Sequence, residues 1–250
     1  MAYGCPLVHL MYLYAFNMKI RPFLLLLIAI LVTAGMSCKW NPQVEATPED
    51  PTHENDSSGK SDQFKSEVEL YESADRVIWQ KPDLVIQELG DVEGKVVADL
   101  GAGTGYFSRR IAYKGAKVIA IDIDPKAIQW MKEQKERFPI ELQDRLVIRQ
   151  AKADDPMLKP QEVDLVLLVN TYSYISNRIP YFTKLKEAIR PGGDVVIIDF
   201  KKKETPFGPS IEERVDVSDV EKELKEAGYT LLKIDQESLE YQYIIKARRI

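Results

Sequence analysis

The sequence predicts an α/β protein built on a doubly wound sheet of seven strands, mostly parallel, with an antiparallel last strand. Strand-like apolar runs alternate with helix-like patterns from about residue 95 onward, which is typical of a parallel sheet covered by helices on both faces. Residues 163–169 are almost continuously apolar, as expected for a central strand buried on both faces. The last two strand-like runs have no helix between them, which predicts an antiparallel pair.

The individual elements follow from apolar periodicity and from glycine or proline at their ends. A helical stretch at residues 67–89, interrupted at Pro82, precedes the alternating part. Strands are predicted at residues 95–100, 117–122, 146–148, 163–169, 194–199, 229–234 and 241–247. Helices are predicted at residues 106–114, 125–137, 180–190 and 217–227. Gly115, Pro191 and Gly228 follow the helices at 106–114, 180–190 and 217–227 and end them, and Pro125 stands in the first turn of the helix at 125–137.

Composition narrows the class of protein. A chain of 250 residues, 45% of them hydrophobic, is long enough for one domain with a full core. The net charge of −5 argues against a nucleic-acid partner. Cysteines and histidines occur only at Cys5, Cys38, His9 and His53, all before residue 64, where we expect the folded domain to begin. We therefore expect no metal site based on cysteine, no cysteine nucleophile and no Ser-His-Asp triad in that domain.

The N-terminal region is typical of a targeting segment. Lys19 and Arg21 precede a short apolar run at residues 23–32, and small residues follow up to residue 38. The run is shorter than the ~20 residues that a spanning helix needs. Residues 39–63 are polar and contain prolines, which predicts a flexible tether between this segment and a domain at residues 64–250.

Cys38 resembles the lipidated cysteine of a bacterial lipoprotein. The preceding Ser37 is similar to the looser signal of Bacteroidetes-type bacteria. If this signal is used, we expect a membrane-anchored protein on the cell-envelope side. A cleaved or uncleaved signal without lipid is an alternative. The true start could be Met18, because residues 1–17 are an atypical extension ahead of a normal signal. If instead the signal results from a misassigned start site, we expect a cytoplasmic protein.

The decamer at residues 96–105 carries the strongest functional signal. An apolar run ends at Asp99, and Gly101, Gly103 and Gly105 follow at alternate positions, before a helical pattern. Strand, glycine turn and helix in this order bring backbone close to a nucleotide-like ligand. The dinucleotide fingerprint requires a third glycine where Tyr106 stands, so the spacing disfavours a dinucleotide.

The charge at Asp99 favours a particular cofactor. A carboxylate at this position would repel a pyrophosphate and suits a ligand with an ammonium or sulfonium group. S-adenosylmethionine carries both and has no phosphate. We therefore predict that it binds the loop of Asp99, Gly101, Ala102, Gly103 and Gly105; a tight turn without a ligand is the alternative.

Acidic residues after the next two strands provide further contacts. Asp122 ends the second strand, where its two carboxylate oxygens can accept from both ribose hydroxyls. Asp124 competes for this role, but we expect it to cap the helix that begins at Pro125. Asp154 follows the third strand and is the candidate for the adenine amino group, whereas Asp155 could instead cap a turn.

Polar and aromatic residues follow the fourth strand, where the carboxyl ends of strands face the ligand crevice. Asn170 is a candidate cofactor ligand. Tyr172 and Tyr174 are candidate catalytic residues, as proton acceptors or positioning groups, or else packing residues with hydrated hydroxyls. Asp199, at the end of the fifth strand, is a further candidate proton acceptor.

From about Val68 to its end the chain resembles the class I S-adenosylmethionine-dependent methyltransferases, with a type 11/25-like domain. The motifs that carry the resemblance are the glycine loop after Asp99, the acids at Asp122 and near Asp154, the fourth strand with its polar end, and the turn at residues 190–193. The resemblance implies a Rossmann-like fold, S-adenosylmethionine as cofactor and methyl transfer.

A bacterial subgroup is similar in two further places, an Arg-x-x-Trp-Gln segment and an Asn-Thr-Tyr segment after the fourth strand. In this chain they are residues 76–80 and 170–172. The subgroup often has histidines after the tyrosine, where this chain has Ser173 and Tyr174, so any histidine role is absent or replaced. Arg76 and Trp79 could cover the cofactor or pack on the sheet.

Three functions remain open at this point. The first is a methyltransferase acting on a small-molecule or lipid-like acceptor, held at a membrane by the signal or by a lipidated Cys38. The second is a membrane-tethered binding lipoprotein whose methyltransferase fold is catalytically silent, because S-adenosylmethionine is made in the cytosol. The third is a nicotinamide-dependent oxidoreductase, which Tyr106 in the glycine motif disfavours.

Overall fold

The computed structural model describes residues 68–69 and 72–249. The predicted targeting segment at residues 1–38, with Met18 and Cys38, and the predicted tether at residues 39–63 lie outside the described residues. In the part of the chain that is described, no helix has the length and apolar character needed to cross a membrane.

Helices and strands alternate through the described domain. The helices are α1 (Arg76–Trp79), α2 (Pro82–Glu88), α3 (Tyr106–Tyr113), α4 (Pro125–Lys135), α5 (Ile140–Arg145), α6 (Arg178–Ala188) and α7 (Val217–Glu226). The strands are β1 (Val96–Leu100), β2 (Lys117–Asp122), β3 (Leu146–Gln150), β4 (Val163–Val169), β5 (Ile189–Phe200), β6 (Tyr229–Asp235) and β7 (Gln242–Arg249). Short 3₁₀ turns lie at Tyr172–Tyr174 and Ile211–Glu213.

The strands form one sheet in the order β3-β2-β1-β4-β5-β7-β6. β1 to β5 are parallel, and β7 is antiparallel to both of its neighbours, so the predicted fold class is confirmed. The chain runs outward from β1 to β3 and then returns to β4 on the other side of β1. This reversal places the carboxyl ends of β1 and β4 side by side, which is where open α/β sheets bind ligands.

Apolar layers cover both faces of the sheet. On one face, Val97 and Leu167 pack beneath a layer that includes Phe107 and Ile111 of α3. On the other, Val166 and Ile197 are buried with Phe182 of α6. Each such side chain contributes about 1.5–3 kcal/mol when it is fully buried, so the two layers hold the strand ends in place.

The sequence does not predict the order of the last two strands, and it places the start of β5 too late in the chain. β7 inserts between β5 and β6, so its residues Tyr243–Ile245 are fully buried and β6 forms the edge. β5 begins at Ile189 rather than after the glycines, with a register shift against β4. A Cβ at Gly193 would lie 2.3 Å from the carbonyl oxygen of Asp164, so only glycine lets the strands approach this closely.

One helix was not predicted from the sequence. α5 lies between α4 and β3, and Leu142 is its buried residue. A six-residue helix with one buried side chain has too little apolar periodicity to be recognised in a sequence. It lies beside β3, away from the strand ends that concern the site.

Candidate functional site

A cleft of about 230 Å³ opens at the carboxyl ends of the central strands. The glycine loop after β1, the end of β2 and the end of β4 supply its walls. The lining residues are Arg76, Gly101, Ala102, Gly103, Thr104, Asp122, Ile123, Asp124, Ala127, Val169, Asn170, Thr171 and Tyr174. Sequence-distant segments meet here because β1 lies between β2 and β4 in the sheet.

A smaller cavity of about 90 Å³ adjoins the cleft and shares several of its residues. Its remaining lining is mostly apolar and comes from the strand ends and the loop after β3. The residues that line only this cavity are Leu100, Ile121, Ala151, Lys152, Ala153, Ile175 and Tyr181. The shared residues are Gly101, Asp122, Ile123, Thr171 and Tyr174, so Asp122 borders both spaces.

The glycine loop requires its glycines. Gly101, Gly103 and Gly105 have φ values of 75°, 55° and 78°, in the left-handed region that other residues adopt at a cost. At Gly101 a Cβ would lie 2.2 Å from Oγ1 of Thr171, at the end of β4. The loop backbone therefore lies directly against the strand end across the cleft.

The carboxylate of Asp122 connects the end of β2 to the glycine loop. Its Oδ2 accepts from the backbone amide of Gly103 at 2.8 Å, and its Oδ1 accepts from the amide of Asp124 at 2.9 Å. Burial raises the pKa of this carboxyl above its ordinary value, and the backbone hydrogen bonds oppose that rise. A carboxylate has about four acceptor sites, so Asp122 keeps acceptor capacity for a donor in the cleft.

Asp99 lies beneath the loop instead of lining the cleft. Its side chain is 2% exposed and accepts a 2.6 Å hydrogen bond from Oγ of Ser108 in α3. Burial raises the pKa of Asp99 to about 6, against the lowering effect of Ser108 and of the nearby Arg76. Asp99 therefore connects β1 to α3 through Ser108, beneath the glycine loop. Direct contact between Asp99 and a ligand stays a prediction.

The other predicted acids take different positions. Asp124 caps α4 by accepting from the backbone amide of Lys126, as the sequence predicts. Asp154 is exposed and lines neither cavity, whereas the neighbouring Ala153 lines the smaller one. Asp155 accepts from the amide of Met157 and pairs with Lys184, so it fixes the turn after β3.

The two candidate catalytic tyrosines are the first and last residues of the 3₁₀ turn, and their side chains have different surroundings. Tyr172 is fully buried, and its hydroxyl donates to Glu223 at 2.5 Å, next to the ion pair of Glu223 with Arg178. Burial and the Glu223 carboxylate raise the pKa of Tyr172 far above its ordinary value. Tyr174 is 67% exposed and lines both cavities. The packing role therefore fits Tyr172, and of the two only Tyr174 faces the cleft.

Asp199 is buried behind the cleft. Its carboxylate accepts from the backbone amides of Ser173 and Phe200, and it lines neither cavity. Burial raises its pKa to about 6. This carboxyl therefore fixes the 3₁₀ turn that carries Tyr174.

The segment at residues 76–80 contributes to the cleft at one end and to the core at the other. Arg76 lines the cleft, and its guanidinium lies 4.2 Å from the ring centre of Tyr106. Burial lowers the pKa of Arg76 to about 10, which leaves it charged at neutral pH. Trp79 packs against Phe207 and Phe200, so its packing role holds and only Arg76 reaches the cleft.

Several site residues are not apparent from the sequence. Ile123 follows Asp122, which the sequence does single out, so its position in the chain could have indicated it. Gln242 gives no such signal, because it lies in β7 and reaches Asn170 only through the strand order. Within the residues that are described, no group of three or more possible metal ligands occurs.

Comparison with known proteins gives a family match over most of the domain. A family model described as a methyltransferase domain matches residues 91–248. A demethylmenaquinone methyltransferase of Tropheryma whipplei strain Twist is 31% identical over 112 residues, which are 45% of this chain and 44% of that protein. A mitochondrial ubiquinone biosynthesis O-methyltransferase of Schizosaccharomyces pombe is 28% identical over 113 residues, 45% of this chain and 40% of that protein. The chain thus spans less than half the length of these curated relatives.

Solved structures share the fold. A SAM-dependent methyltransferase from Aquifex aeolicus superimposes with a TM-score of 0.68 at 24% identity, over 74% of this chain and 98% of that one. Phosphoethanolamine N-methyltransferase 2 of Haemonchus contortus, in complex with S-adenosyl-L-methionine, gives a TM-score of 0.57 at 15% identity, over 68% of this chain and 52% of that one. At these identities the likeness establishes the architecture.

Proposed function

The chain belongs to the methyltransferase domain family, and from this premise we propose that it transfers a methyl group from S-adenosylmethionine to a lipid-like small molecule. The observation that carries the proposal is the cleft at the meeting point of β1, β2 and β4. The glycine loop, the Asp122 carboxylate and the polar end of β4 all face it.

The residues of the cleft fit this cofactor. The backbone of Gly101–Gly103 would lie against the ligand, since all three residues line the cleft. Asp122 would accept from the ribose hydroxyls, for which its carboxylate keeps acceptor sites. The mostly apolar cavity beside it, next to Ile121 and Ala151, suits a flat base. When bound, S-adenosylmethionine supplies a methyl group on a positively charged sulfur.

The chain's own contribution to the reaction is mainly alignment and exclusion of water. Among the described residues that line the cleft, the titratable ones are Arg76, Asp122, Asp124 and Tyr174. Asp122 and Asp124 already hold backbone amides. Tyr174 is 67% exposed and lines both cavities, so we assign to it the hydrogen bond to an acceptor molecule that orients the reacting atom.

Apolar side chains around the cleft support a lipid-like acceptor. Ile123 is 58% exposed and Tyr174 67% exposed, although both line the cleft. Val77 and Ile78, directly after Arg76, are also exposed. Exposed apolar side chains such as Ile123, which lines the cleft, favour a partner that covers them. The names of the two curated relatives point to quinone-type acceptors, which have this character.

A binding and transfer experiment tests the proposal. The full-length chain is titrated calorimetrically with S-adenosylmethionine and then incubated with methyl-labelled cofactor and a demethylated prenyl quinone in detergent. We expect binding and label in the organic phase. Absence of heat at high micromolar cofactor would refute the proposal, and binding without transfer to any lipid extract would favour a binding protein with a silent site.

We further propose that Cys38 is lipidated and holds the domain at a membrane, because basic residues, a short apolar run and small residues precede it. The test is Cys38→Ser in the native host, followed by fractionation. We expect the variant to leave the membrane fraction. Retention of the variant in that fraction contradicts lipidation at this position.

A further inference from the structure

A buried chain of polar side chains connects two walls of the cleft. Nε of Arg76 donates to Oε1 of Gln80, Nε2 of Gln80 donates to Oε1 of Gln242 at 3.1 Å, and Nε2 of Gln242 donates to Oδ1 of Asn170. We call these four side chains the amide chain. Its two ends, Arg76 and Asn170, line the cleft, and its two glutamines are fully buried.

The amide chain crosses the sheet. Gln242 begins β7 and lies opposite Phe200 of β5, while Asn170 follows β4 on the other side of β5. Burying two glutamines costs free energy unless each amide is bonded, and here each carbonyl accepts once and each NH₂ donates once. The carbonyl and the NH₂ group of both buried glutamines are therefore hydrogen-bonded.

The direction of the amide chain is set at one end. A guanidinium carries only donors, so Gln80 must present its carbonyl to Arg76. That orientation leaves the NH₂ of Gln80 for the carbonyl of Gln242, and the NH₂ of Gln242 for the carbonyl of Asn170. Because Oδ1 of Asn170 is occupied, its NH₂ is the group left for the cleft.

The backbone of Asn170 supports a functional role for this position. Its φ is 55°, in the left-handed region, which asparagine tolerates better than most residues. Its own amide donates to the carbonyl of Ile198 in β5 at 2.8 Å, so the backbone is fixed. With backbone and Oδ1 both held, the remaining donor points in one direction.

We infer that Gln80 and Gln242 are positioning residues that make Asn170 a hydrogen-bond donor toward the cleft. The ligand group it selects is an oxygen acceptor, and in the proposed function, on which this assignment rests, it is the carboxylate of the amino-acid part of the cofactor. Neither glutamine lines the cleft, so both act through Asn170.

Gln80→Glu reverses the amide chain without adding an uncompensated charge. The carboxylate that this substitution introduces would pair with Arg76, but its second oxygen cannot donate, so Gln242 must turn its NH₂ toward it. Asn170 then turns its own NH₂ toward Gln242 and presents a carbonyl to the cleft. Gln129→Glu is the matched control, because Gln129 is exposed on α4 and its amide donates to Glu133 of the same helix.

The probes are S-adenosylhomocysteine and 5′-methylthioadenosine, which lacks the amino-acid part. In the full-length protein we expect Gln80→Glu and Asn170→Asp each to weaken S-adenosylhomocysteine binding at least tenfold, with 5′-methylthioadenosine within twofold of wild type. In an Asn170→Ala background, Gln80→Glu should have no further effect. Equal losses for both probes, no loss, or a full additional loss in that background would overturn the inference.

A second measurement does not depend on cofactor binding. In ¹⁵N-labelled protein, the side-chain amide protons of Gln80 and Gln242 should exchange slowly and those of Asn170 faster, and Gln80→Glu should slow the exchange at Asn170. If wild type binds neither probe but shows this pattern, the proposed function fails and the amide chain stands. Fast exchange at all three amides would refute the amide chain itself, whether or not Gln80→Glu folds.

Discussion

Asp122 and Gly103 are joined by a 2.8 Å hydrogen bond from the Gly103 backbone amide to the Asp122 carboxylate. The contact links the end of β2 to the middle of the glycine loop, 19 positions earlier in the chain. One side chain therefore holds the loop in place and still offers acceptor sites to the cleft.

We predict that Asp122→Ala weakens S-adenosylmethionine binding by roughly 2–3 kcal/mol, because hydrogen bonds to a charged group are lost. Calorimetric titration of the full-length variant measures the change. Asp144→Ala, at an exposed position on α5, serves as the control and should bind as wild type does. Unchanged affinity in Asp122→Ala would reject the ribose assignment.

Gly101→Ala should destabilise the fold by roughly 2–4 kcal/mol, since a left-handed backbone and a collision with Thr171 both oppose a Cβ. Gly90→Ala is the matched control, because Gly90 has φ 74° but no atom within 4 Å of an added Cβ. It should cost only about 1–2 kcal/mol. Denaturant unfolding measures both, and Thr171→Gly should recover part of the loss in Gly101→Ala. Equal losses for the two alanines would show that the collision is unimportant.

Asp99 should make stability depend on pH. Its folded pKa of about 6 lies above its ordinary value of 3.8, so the native state binds the proton more tightly. The free energy of unfolding should therefore fall as pH rises from about 4 to 6.5 and then level off, by at most about 3 kcal/mol from this residue. Comparing Asp99→Asn with wild type isolates the contribution.

The variant should lose that part of the pH dependence and keep the part due to Asp199, whose pKa is raised in the same way. Asp144→Asn, at an exposed position, should follow the wild-type curve. Parallel curves for Asp99→Asn and wild type between pH 4 and 7 would contradict the burial argument for Asp99.

Tyr172 and Tyr174 should separate stability from function. Tyr172→Phe loses the hydrogen bond to Glu223 and should lower the free energy of unfolding by about 1–2 kcal/mol, with cofactor affinity unchanged. Tyr174→Ala should change stability by less than about 0.5 kcal/mol but reduce methyl transfer, since its side chain faces the cleft. Unfolding curves and transfer assays on both variants test this. Loss of methyl transfer in Tyr172→Phe together with full transfer in Tyr174→Ala would contradict this assignment and make Tyr172 the catalytic residue.

Local sequence patterns predicted much of the fold. β2 and β4 have the predicted ends, because an apolar run bounded by polar residues defines a buried strand without reference to the rest of the chain. The position of β7 could not be predicted in this way. A strand between two others and a strand at an edge differ in their neighbours, and the apolar Tyr243–Ile245 segment is compatible with either.

The residues of the site also divide into those that local sequence patterns predict and those that depend on the tertiary structure. Gly101, Ala102, Gly103, Asp122 and Asn170 line the cleft, and each ends a predicted strand or lies in the loop just after one. Asp99, Gly105 and Asp154 do not line it, because the direction in which a residue faces depends on the strand face and on the loop path. These features are decided by the packing of Ser108 beneath the loop and by the turn that Asp155 fixes after β3.

The sequence by itself determined the alternating α/β order, the glycine loop and the acid after β2, because these depend on residues close together in the chain. Only the tertiary structure decided that Gln80 meets Gln242 across 162 positions, that Thr171 lies against Gly101, and that Tyr172 is buried while Tyr174 is exposed. The physical reason is the strand order, which brings β7, β5, β4 and β1 side by side and so sets contacts that no local pattern records.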